Sequence, residues 1–585
     1  MLVLNSQPGS TVRFTGALIT DLLTIPPGLY DVNIEGSGTA ITIADLRNDG
    51  IVTFGNASPD TLNFGTDLTV DIPSAVQLFG QIRTAGDDVT LGDGNTSVRV
   101  YRADSVIDTT NNGVVPAGAL ITFLGVLDGM TGTGSENLRL DAGTAGDILF
   151  VTDVGSMTRL GTLQITNAHD VTIENIAAEA FLQDTGTGTT TLNQTVNTNT
   201  ASGVNLLTLN LVIHSSITTT GSGVVDLSAT SGGSSPTNGL ITLNNNAIIV
   251  ATGNVTLTGS RSTGDAIIVK AVGAFDVNGN TITGETRQFI TTTTGASVTI
   301  NSSMGFFTSL PTGYDEFVIN TKSGSGSINL NAALDANYNN FTLTAGNGTV
   351  TSAPTAAFTE VNTLTLNDNT SASTGIVNLS GNLTVEWIDT FSQPYTVNLL
   401  GSSNIIGPHL YDRYGNVNST MFLNTNGVSL GNNSTDYFWF RQNLTSTAGT
   451  TSVAGRIEAE GELTFANVAL LDTASIISLG GGNVVMADVS GAGKSMKFGE
   501  DAGGLMNYTI TGNAVIGEIT TYPFATWKTE SRIRFLGSLT VAFSATTDFL
   551  NSTVQFGDGV GNDLISFPNG VSLAAVANRT LGGRL

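Results

Sequence analysis

Residues 161–176 read GTLQITNAHDVTIENI and residues 186–193 read GTGTTTLN, and this stretch decides the fold. Apolar side chains stand at every second position for three to five residues, and a Gly, Asn or Asp cluster then ends each run. Because successive side chains of a strand point to opposite faces, this spacing is typical of short strands with one buried face. The rhythm recurs along the whole chain, and no long segment has the 3.6-residue period of a helix. We therefore predict an all-β protein.

Inexact internal repeats indicate how these strands are organised. Residues 128–143 read DGMTGTGSENLRLDAG and residues 488–503 read DVSGAGKSMKFGEDAG. Strands of one type recur at residues 254–258, 327–331 and 382–385. Irregular copies of a small β unit, placed in series, are the sequence pattern of a solenoid. The predicted fold is a right-handed parallel β-helix (a β-solenoid), with about 20 to 25 residues in each turn.

Tandem β-sandwich domains are the main alternative to the solenoid. A sandwich array has a period of about 100 residues and often one core Trp in each copy. The chain has only three Trp residues, Trp387, Trp439 and Trp527, and none lies in the most regular stretch. A membrane barrel would need strands of about 9 to 11 residues, and the strands predicted here are shorter.

The pattern divides the chain into four segments. Residues 1–130 are predicted as an N-terminal solenoid segment, 131–386 as regular repeats, 387–440 as an aromatic-rich insertion or irregular turns, and 441–585 as a C-terminal solenoid segment. Aromatic platforms bind sugars or protein partners, whereas an insertion can also use its aromatic residues for a small core of its own. Both alternatives stay open for the candidate partner-binding residues of the third segment, which are Trp387, Tyr411, Tyr414, Tyr437 and Trp439.

Charge and composition exclude several classes of protein. The net charge is −26, from 47 acidic and 21 basic residues, so a phosphate-neutralising surface and nucleic-acid binding are not expected. No apolar run approaches the roughly 18 residues that span a bilayer. The absence of Cys excludes thiol catalysis, thiolate zinc sites and disulfides.

Motifs for catalysis are weak, and we expect no catalytic residues and no cofactor. Ser490–Ser495 resembles a phosphate loop, but Asp488 stands where such a loop needs Gly, and a strand pattern follows. Asp87 and Asp88 resemble the paired carboxylates of polygalacturonase-like glycosidases, yet none of the three His residues is followed by Gly as in those enzymes. A turn before a strand is the simpler interpretation of the pair. A polysaccharide-acting β-helix enzyme (lyase or glycosidase) and a phage-tailspike-like binder remain the alternatives.

Two groups of carboxylates are candidates for calcium. Glu458, Glu460 and Glu462 alternate, so one strand would place all three on one face. Asp558 and Asp563 lie in GDGVGNDL, residues 557–564, which is similar to a single calcium turn of repeat-in-toxin proteins. A solvated outer face is the alternative for the glutamates, and a lone calcium turn lacks the stacked neighbours that complete its coordination.

One part of the chain resembles a known family. ENLRLDAGTAGDILF at residues 136–150 and MTRLGTLQITNAHDVTI at residues 157–173 are similar to repeats of filamentous-haemagglutinin-like and autotransporter-type bacterial surface adhesins. The resemblance implies a β-helical, exported protein of the cell surface or of an extracellular fibre, without catalytic residues. A crystalline surface-layer subunit has a similar composition. We therefore expect a structural or adhesive protein that displays loops on a rigid rod and associates with itself into fibres or a lattice, with surface glycans or cell-envelope components as further partners.

Overall fold

The computed structural model shows an all-β chain whose stacked parallel strands form a β-solenoid of about 19 turns. It describes residues 1–585 except 1, 4–5, 102–103, 133, 231–237, 244–246, 248, 261–266, 271–285, 292–296, 302, 308–315, 322–324, 368–372, 409–418, 499–505, 522–530, 542–546, 549–551, 559–563, 568–570, 573–577 and 582–585. Within the described ranges there is no helix. The prediction of a parallel β-solenoid is confirmed.

The chain divides into two compact units, Met1–Val272 with Arg287–Phe307, and Gly273–Thr286 with Thr308–Leu585. The strands up to Phe307 are Leu2–Val3, Thr11–Phe14, Ile19–Ile25, Asp31–Ile34, Thr39–Leu46, Ile51–Phe54, Thr61–Phe64, Leu68–Val70, Ala75–Leu78, Gln81–Arg83, Val89–Leu91, Ser97–Val100, Ser105–Asp108, Ile121–Phe123, Leu127–Gly129, Leu138–Asp141, Ile148–Phe150, Leu160–Asn167, Val171–Ile173, Ile176–Gln183, Thr189–Leu192, Val196–Thr198, Val204–Thr208, Asn210–Ile213, Ile217–Thr219, Val225–Ala229, Ile241–Leu243, Ile249–Ala251, Val255–Gly259, Ile267–Lys270, Thr286–Thr291, Val298–Ile300 and Met304–Phe307.

The remaining strands are Glu316–Asn320, Ile328–Leu330, Leu334–Asp335, Asn340–Thr344, Thr349–Ser352, Phe358–Leu366, Ile376–Leu379, Leu383–Asp389, Thr396–Leu399, Ser403–Ile406, Thr420–Phe422, Val428–Leu430, Tyr437–Phe440, Leu444–Ser446, Thr451–Ala459, Leu463–Phe465, Val468–Ser478, Asn483–Met486, Val489–Phe498, Asn507–Ile510, Ala514–Thr521, Ser531–Phe535, Leu539–Val541, Thr547–Asp548, Ser552–Phe556, Ile565–Ser566, Val571–Ser572 and Asn578–Leu581. The described strands of residues 387–440 pair in parallel with their neighbours as the other strands do.

Each turn of the solenoid, here called a coil, pairs its strands in register with those of the next coil. In the first unit, Leu62 pairs with Ile82, Ile82 with Ile107, and Ile107 with Leu140. These four side chains are fully buried, because alternation sends every second residue of each strand inward. Parallel pairing at this register excludes tandem β-sandwiches, whose sheets are antiparallel.

Apolar side chains stack in columns along the inside of each unit. In the first unit, the rings of Phe123 and Phe150 stack with centroids 5.0 Å apart and planes inclined by 3°. In the second unit, Phe317 stacks on Phe341 at 5.7 Å. Burying one such side chain contributes about 1.5–3 kcal/mol, so these columns supply much of the stability of a chain with few charged groups.

A polar contact repeats at the entry of many strands and joins successive coils. The side-chain oxygen of an Asn or Asp just before or at the start of a strand accepts a hydrogen bond from the backbone N–H at the same register position of the next coil. We call these contacts the coil-linking hydrogen bonds. Their lengths are 2.6–3.2 Å, and the acceptors include Asp67, Asp88, Asp147, Asp170, Asn254, Asn347, Asn382, Asn443, Asp488 and Asn513.

The repeated Asp-Ala-Gly sequence also has a structural reason. Asp141 Oδ1 accepts the N–H of Gly143 at 3.1 Å, which closes the turn after Leu138–Asp141. Gly143 has a φ of +78°, and a Cβ at this position would lie 2.6 Å from the backbone of Ala117 in the preceding coil. Only Gly combines a left-handed backbone with this close approach. The second copy, residues 501–503, lies outside the described residues.

Candidate functional site

The strand Tyr437–Phe440 splits its aromatic side chains between two faces. Phe438 and Phe440 are fully buried in the interior, whereas Tyr437 and Trp439 are half-buried on the outer face. The guanidinium carbon of Arg441 lies 4.8 Å from the centre of the Trp439 ring, a cation–π contact. Two of the five predicted partner-binding residues therefore lie together on one outer face.

The strand of the next coil brings Glu458 to these aromatic residues. Tyr437 pairs with Arg456, and Trp439 pairs with Glu458. The Tyr437 hydroxyl donates to Glu458 Oε2 at 2.7 Å, and Arg456 forms an ion pair with the same carboxylate. Burial raises the pKa of Tyr437, and the hydrogen bond to Glu458 raises it further, so the hydroxyl stays protonated as a donor. Glu458 is thus a buried acceptor within a network of protein groups.

The prediction that Glu458, Glu460 and Glu462 lie on one face of a single strand is wrong. The strand Thr451–Ala459 ends before Glu460, and Glu460 and Glu462 lie exposed in the turn that precedes Leu463–Phe465. At the end of this turn the Glu462 N–H donates to Asn443 Oδ1 in a coil-linking hydrogen bond of 2.7 Å. The Glu462 carboxylate accepts from Asn483 at 2.8 Å. Calcium binding at these residues stays a prediction.

The other predicted calcium and partner residues are only partly within the described structure. Asp558 is exposed and follows Gly557, which has a φ of +73°. Asp563, Tyr411 and Tyr414 lie outside the described residues.

Trp387, the remaining predicted partner residue, lines an open cleft of about 380 Å³ in the second unit. Trp387 and Asp389 lie two positions apart on one strand and share a face. Asp389 pairs with Met421, which is 47% exposed, and Leu423 lies beside it. The protein around this concave wall displaces enough water to raise the pKa of Asp389. A half-exposed indole, exposed aliphatic groups and a carboxylate together suit a ligand with one apolar face and several hydroxyls.

A smaller cleft of about 230 Å³ is lined by Tyr437, Arg456 and Lys497, among others. The register Tyr437–Arg456–Ser475–Lys497 runs through successive coils and forms one wall. Arg456, which is paired with Glu458, and Lys497 are the basic residues of this cleft, and Asp436 lines it as well.

A cleft of about 560 Å³ in the first unit lies beside a polar column that sequence reasoning missed. Asn63 pairs with Arg83, Arg83 with Asp108, and Asp108 with Asp141. The Asp108 carboxylate is buried, accepts the N–H groups of Thr110 and Asn112, and lies 3.7 Å from Arg83 Nε. The cleft itself is lined by Asp21, Asn63, Arg83, Thr84 and Asn111, among others.

Asp141 is the carboxylate of this column with a raised pKa. Burial is the main cause, and the neighbouring charge of Asp108 acts in the same direction, while the N–H of Gly143 opposes it. Asp108 and Asp141 share the column with Arg83, which lines the cleft, but neither carboxylate is among the lining residues. The pair at Asp87 and Asp88 has a different use, because Asp88 both donates its N–H to Asp67 and accepts from Leu120 across the coils.

Within the described part of the chain, no helix is long and apolar enough to cross a membrane. In comparisons with protein-family models, with curated proteins and with solved structures, nothing matches this chain.

Proposed function

We propose that this chain is a structural and adhesive protein of a bacterial cell surface or an extracellular fibre. It presents side chains at regular spacing on a solenoid and associates with copies of itself. The observation that carries the proposal is the repetition of the coil-linking hydrogen bonds in both units. Many of the Asn and Asp side chains that could serve a ligand are engaged in joining one coil to the next.

The composition of the outer strand faces suits a protein that displays side chains to binding partners. With 12% charged residues and a net charge of −26, the outer strand faces depend on short polar side chains such as Thr and Asn. Neighbouring coils present like residues side by side, as in the pair Asn378 and Asn398, joined by a hydrogen bond of 2.7 Å. Weak contacts repeated along such faces add through multivalency, which suits adhesion and self-association.

The cleft at Trp387 is the proposed binding site for a surface glycan. A pyranose ring can stack its C–H face on the indole while Asp389 accepts its hydroxyl groups. The test is binding of the purified chain to a panel of immobilised glycans, with Trp387→Ala and Asp389→Asn as variants. Met157→Ala, an exposed residue of the first unit that does not line this cleft, is the control. Loss of binding in both cleft variants supports the glycan site; equal binding by all four proteins contradicts it.

Self-association is tested by electron microscopy and by sedimentation over a range of protein concentrations. Both are done with added calcium and again with a chelator, so that an effect of calcium at the candidate carboxylates is read in the same experiment. Filaments, bundles or lattices that grow with concentration support the structural function. Strictly monomeric particles at every concentration, with and without calcium, contradict it.

A second candidate function is polysaccharide cleavage at the cleft beside Arg83. The supporting observation is the column in which Arg83, Asp108 and Asp141 are successive neighbours, with a raised pKa at Asp141. The test follows viscosity and new reducing ends with a panel of neutral and anionic polysaccharides. Cleavage that Asp141→Asn abolishes supports an enzyme, whereas no cleavage by the folded protein rejects this candidate.

A further inference from the structure

One of the three His residues lies between two carboxylates from successive coils. His169 Nδ1 is 3.1 Å from Asp147 Oδ1 and 3.7 Å from Asp170 Oδ2. The three residues can each offer one ligand atom such that all three atoms lie within 4.8 Å of one another. Among the described residues, no other group of three or more His, Asp or Glu side chains has this geometry.

The parallel register produces this arrangement. Ile148 pairs with Val171, so Asp147 and Asp170 occupy the same position in two neighbouring coils. His169, the residue before Asp170, then lies beside Asp147, although the two are 22 positions apart in sequence. The sequence places His169 next to Asp170, but no pattern in it indicates that Asp147 lies beside them.

Coil-linking hydrogen bonds hold both carboxylates in orientation. Asp147 Oδ1 accepts the N–H of Asp170 at 2.9 Å, and Asp170 Oδ1 accepts the N–H of Thr189 at 2.6 Å. Each carboxylate is anchored through one oxygen, and in Asp170 it is the other oxygen that faces the imidazole. The side chains are 46–49% exposed, so an ion from solvent can reach them and retain water in its remaining positions.

The donor set and its spacing decide which ion fits. Zinc binds His nitrogen at about 2.0–2.1 Å and carboxylate oxygen at about 2.0–2.2 Å, so two donors on one ion lie roughly 3–4 Å apart. The separations of 3.1 and 3.7 Å from His169 Nδ1 lie within that range, and the ligand atoms of the two carboxylates lie within 4.8 Å of each other, so a small movement of these exposed side chains brings all three donors onto one ion. Calcium and magnesium prefer all-oxygen sites, whereas an imidazole favours transition ions.

We propose that Asp147, His169 and Asp170 bind one divalent transition ion of the Zn²⁺ type and that this ion joins two successive coils of the first unit. The site is separate from the predicted calcium residues and does not depend on the proposed adhesive function. Its bound ion would act as a clamp, since two ligands come from one coil and one from the coil before.

The experiment uses the full chain after chelator treatment, titrated calorimetrically with ZnCl₂ and, separately, with CaCl₂. The variants are His169→Ala and Asp147→Asn, which keeps the acceptor for Asp170. His214→Ala removes an exposed His outside the group and is the matched control. The circular dichroism of each variant in chelator shows whether the variant is folded. We expect both variants to fold, because the substituted side chains are half-exposed.

The expected result is one saturable Zn²⁺ site per chain, weakened at least about tenfold in both ligand variants and unchanged in His214→Ala. Zn²⁺ should also raise the melting temperature of the wild type and of His214→Ala, but not of His169→Ala. The proposal is overturned if the wild type shows no saturable Zn²⁺ binding, if His169→Ala binds Zn²⁺ as the wild type does, or if this group prefers Ca²⁺ to Zn²⁺.

Discussion

Asp488 Oδ1 accepts a hydrogen bond of 2.7 Å from the backbone N–H of Asn513, 25 positions later in the chain. Asn513 then repeats the role, because its own Oδ1 accepts the N–H of Ser538 at 3.2 Å. Each of these residues immediately precedes a strand, Val489–Phe498, Ala514–Thr521 or Leu539–Val541. Short side chains with an oxygen at this distance from the backbone satisfy the N–H at the strand entry of the next coil, where the regular ladder begins.

Removing the Asp488 acceptor should weaken the contact between two coils. We expect Asp488→Ala to lower the free energy of unfolding by about 1 kcal/mol, the usual net contribution of one hydrogen bond. Asp488→Asn keeps an oxygen at the same place and should lose less than half as much. Urea denaturation of the three proteins measures both differences at constant slope. Equal losses in the two variants would show that charge, and not the acceptor, is what matters at Asp488.

A methyl group at Gly143 should be poorly tolerated. The left-handed φ of +78° alone costs a non-Gly residue about 1–2 kcal/mol, and the backbone of Ala117 obstructs the new Cβ. Gly94 is the matched control, since a Cβ there meets nothing within 4 Å and its φ is not in the left-handed region. We expect Gly143→Ala to lower the denaturation midpoint clearly and Gly94→Ala to change stability by no more than about 0.5 kcal/mol. Similar midpoints for the two variants would contradict the described close approach.

Truncating one ring of the Phe123–Phe150 stack should leave a cavity in the first unit. Phe150 is 1% exposed, and Phe150→Ala should cost about 3–5 kcal/mol. Phe150→Leu, which fills more of the space, should cost distinctly less. Hydrogen exchange of residues 148–150 and of the neighbouring strands localises the loss. A cost for Phe150→Ala below about 1 kcal/mol would mean that the ring is not packed in the core.

Tyr395 should make the second unit sensitive to alkaline pH. Its side chain is fully buried, its hydroxyl donates to the Leu366 carbonyl at 2.8 Å, and burial raises the pKa from 10.0 to about 12. The folded chain therefore keeps the phenol proton up to a higher pH than the unfolded chain does. The stability that this provides is complete below about pH 10 and is lost as the pH rises through about 12.

Tyr395→Phe is the variant that tests this pH dependence. It should be less stable than the wild type near neutral pH, because the buried Leu366 carbonyl and the Phe391 N–H lose their partner. Between pH 10 and 12 it should lose less additional stability than the wild type. Urea midpoints across this range give the comparison, and an identical alkaline loss in both proteins would contradict the role of Tyr395.

The sequence predicted the fold through local pattern and missed features that depend on register. Leu163 and Ile165 alternate with polar residues and are fully buried, as the two-residue period requires. The column of Arg83, Asp108 and Asp141 was missed because turns between strands differ in length, so equivalent positions have no constant spacing. The predicted shared face of Glu458, Glu460 and Glu462 was wrong because a turn at Gly461 interrupts the strand, although these residues alternate as they would within a strand.

Amide hydrogen exchange at Asn513 tests the central claim, that Asn and Asp side chains at the strand entries join one coil to the next. In the wild type the Asn513 N–H should be protected, because Asp488 accepts it. In Asp488→Ala this amide should exchange about five- to tenfold faster, while Asp488→Asn keeps most of the protection and distant strands are unchanged. An Asn513 amide that exchanges freely in the wild type, or equally fast in all three proteins, would contradict the account.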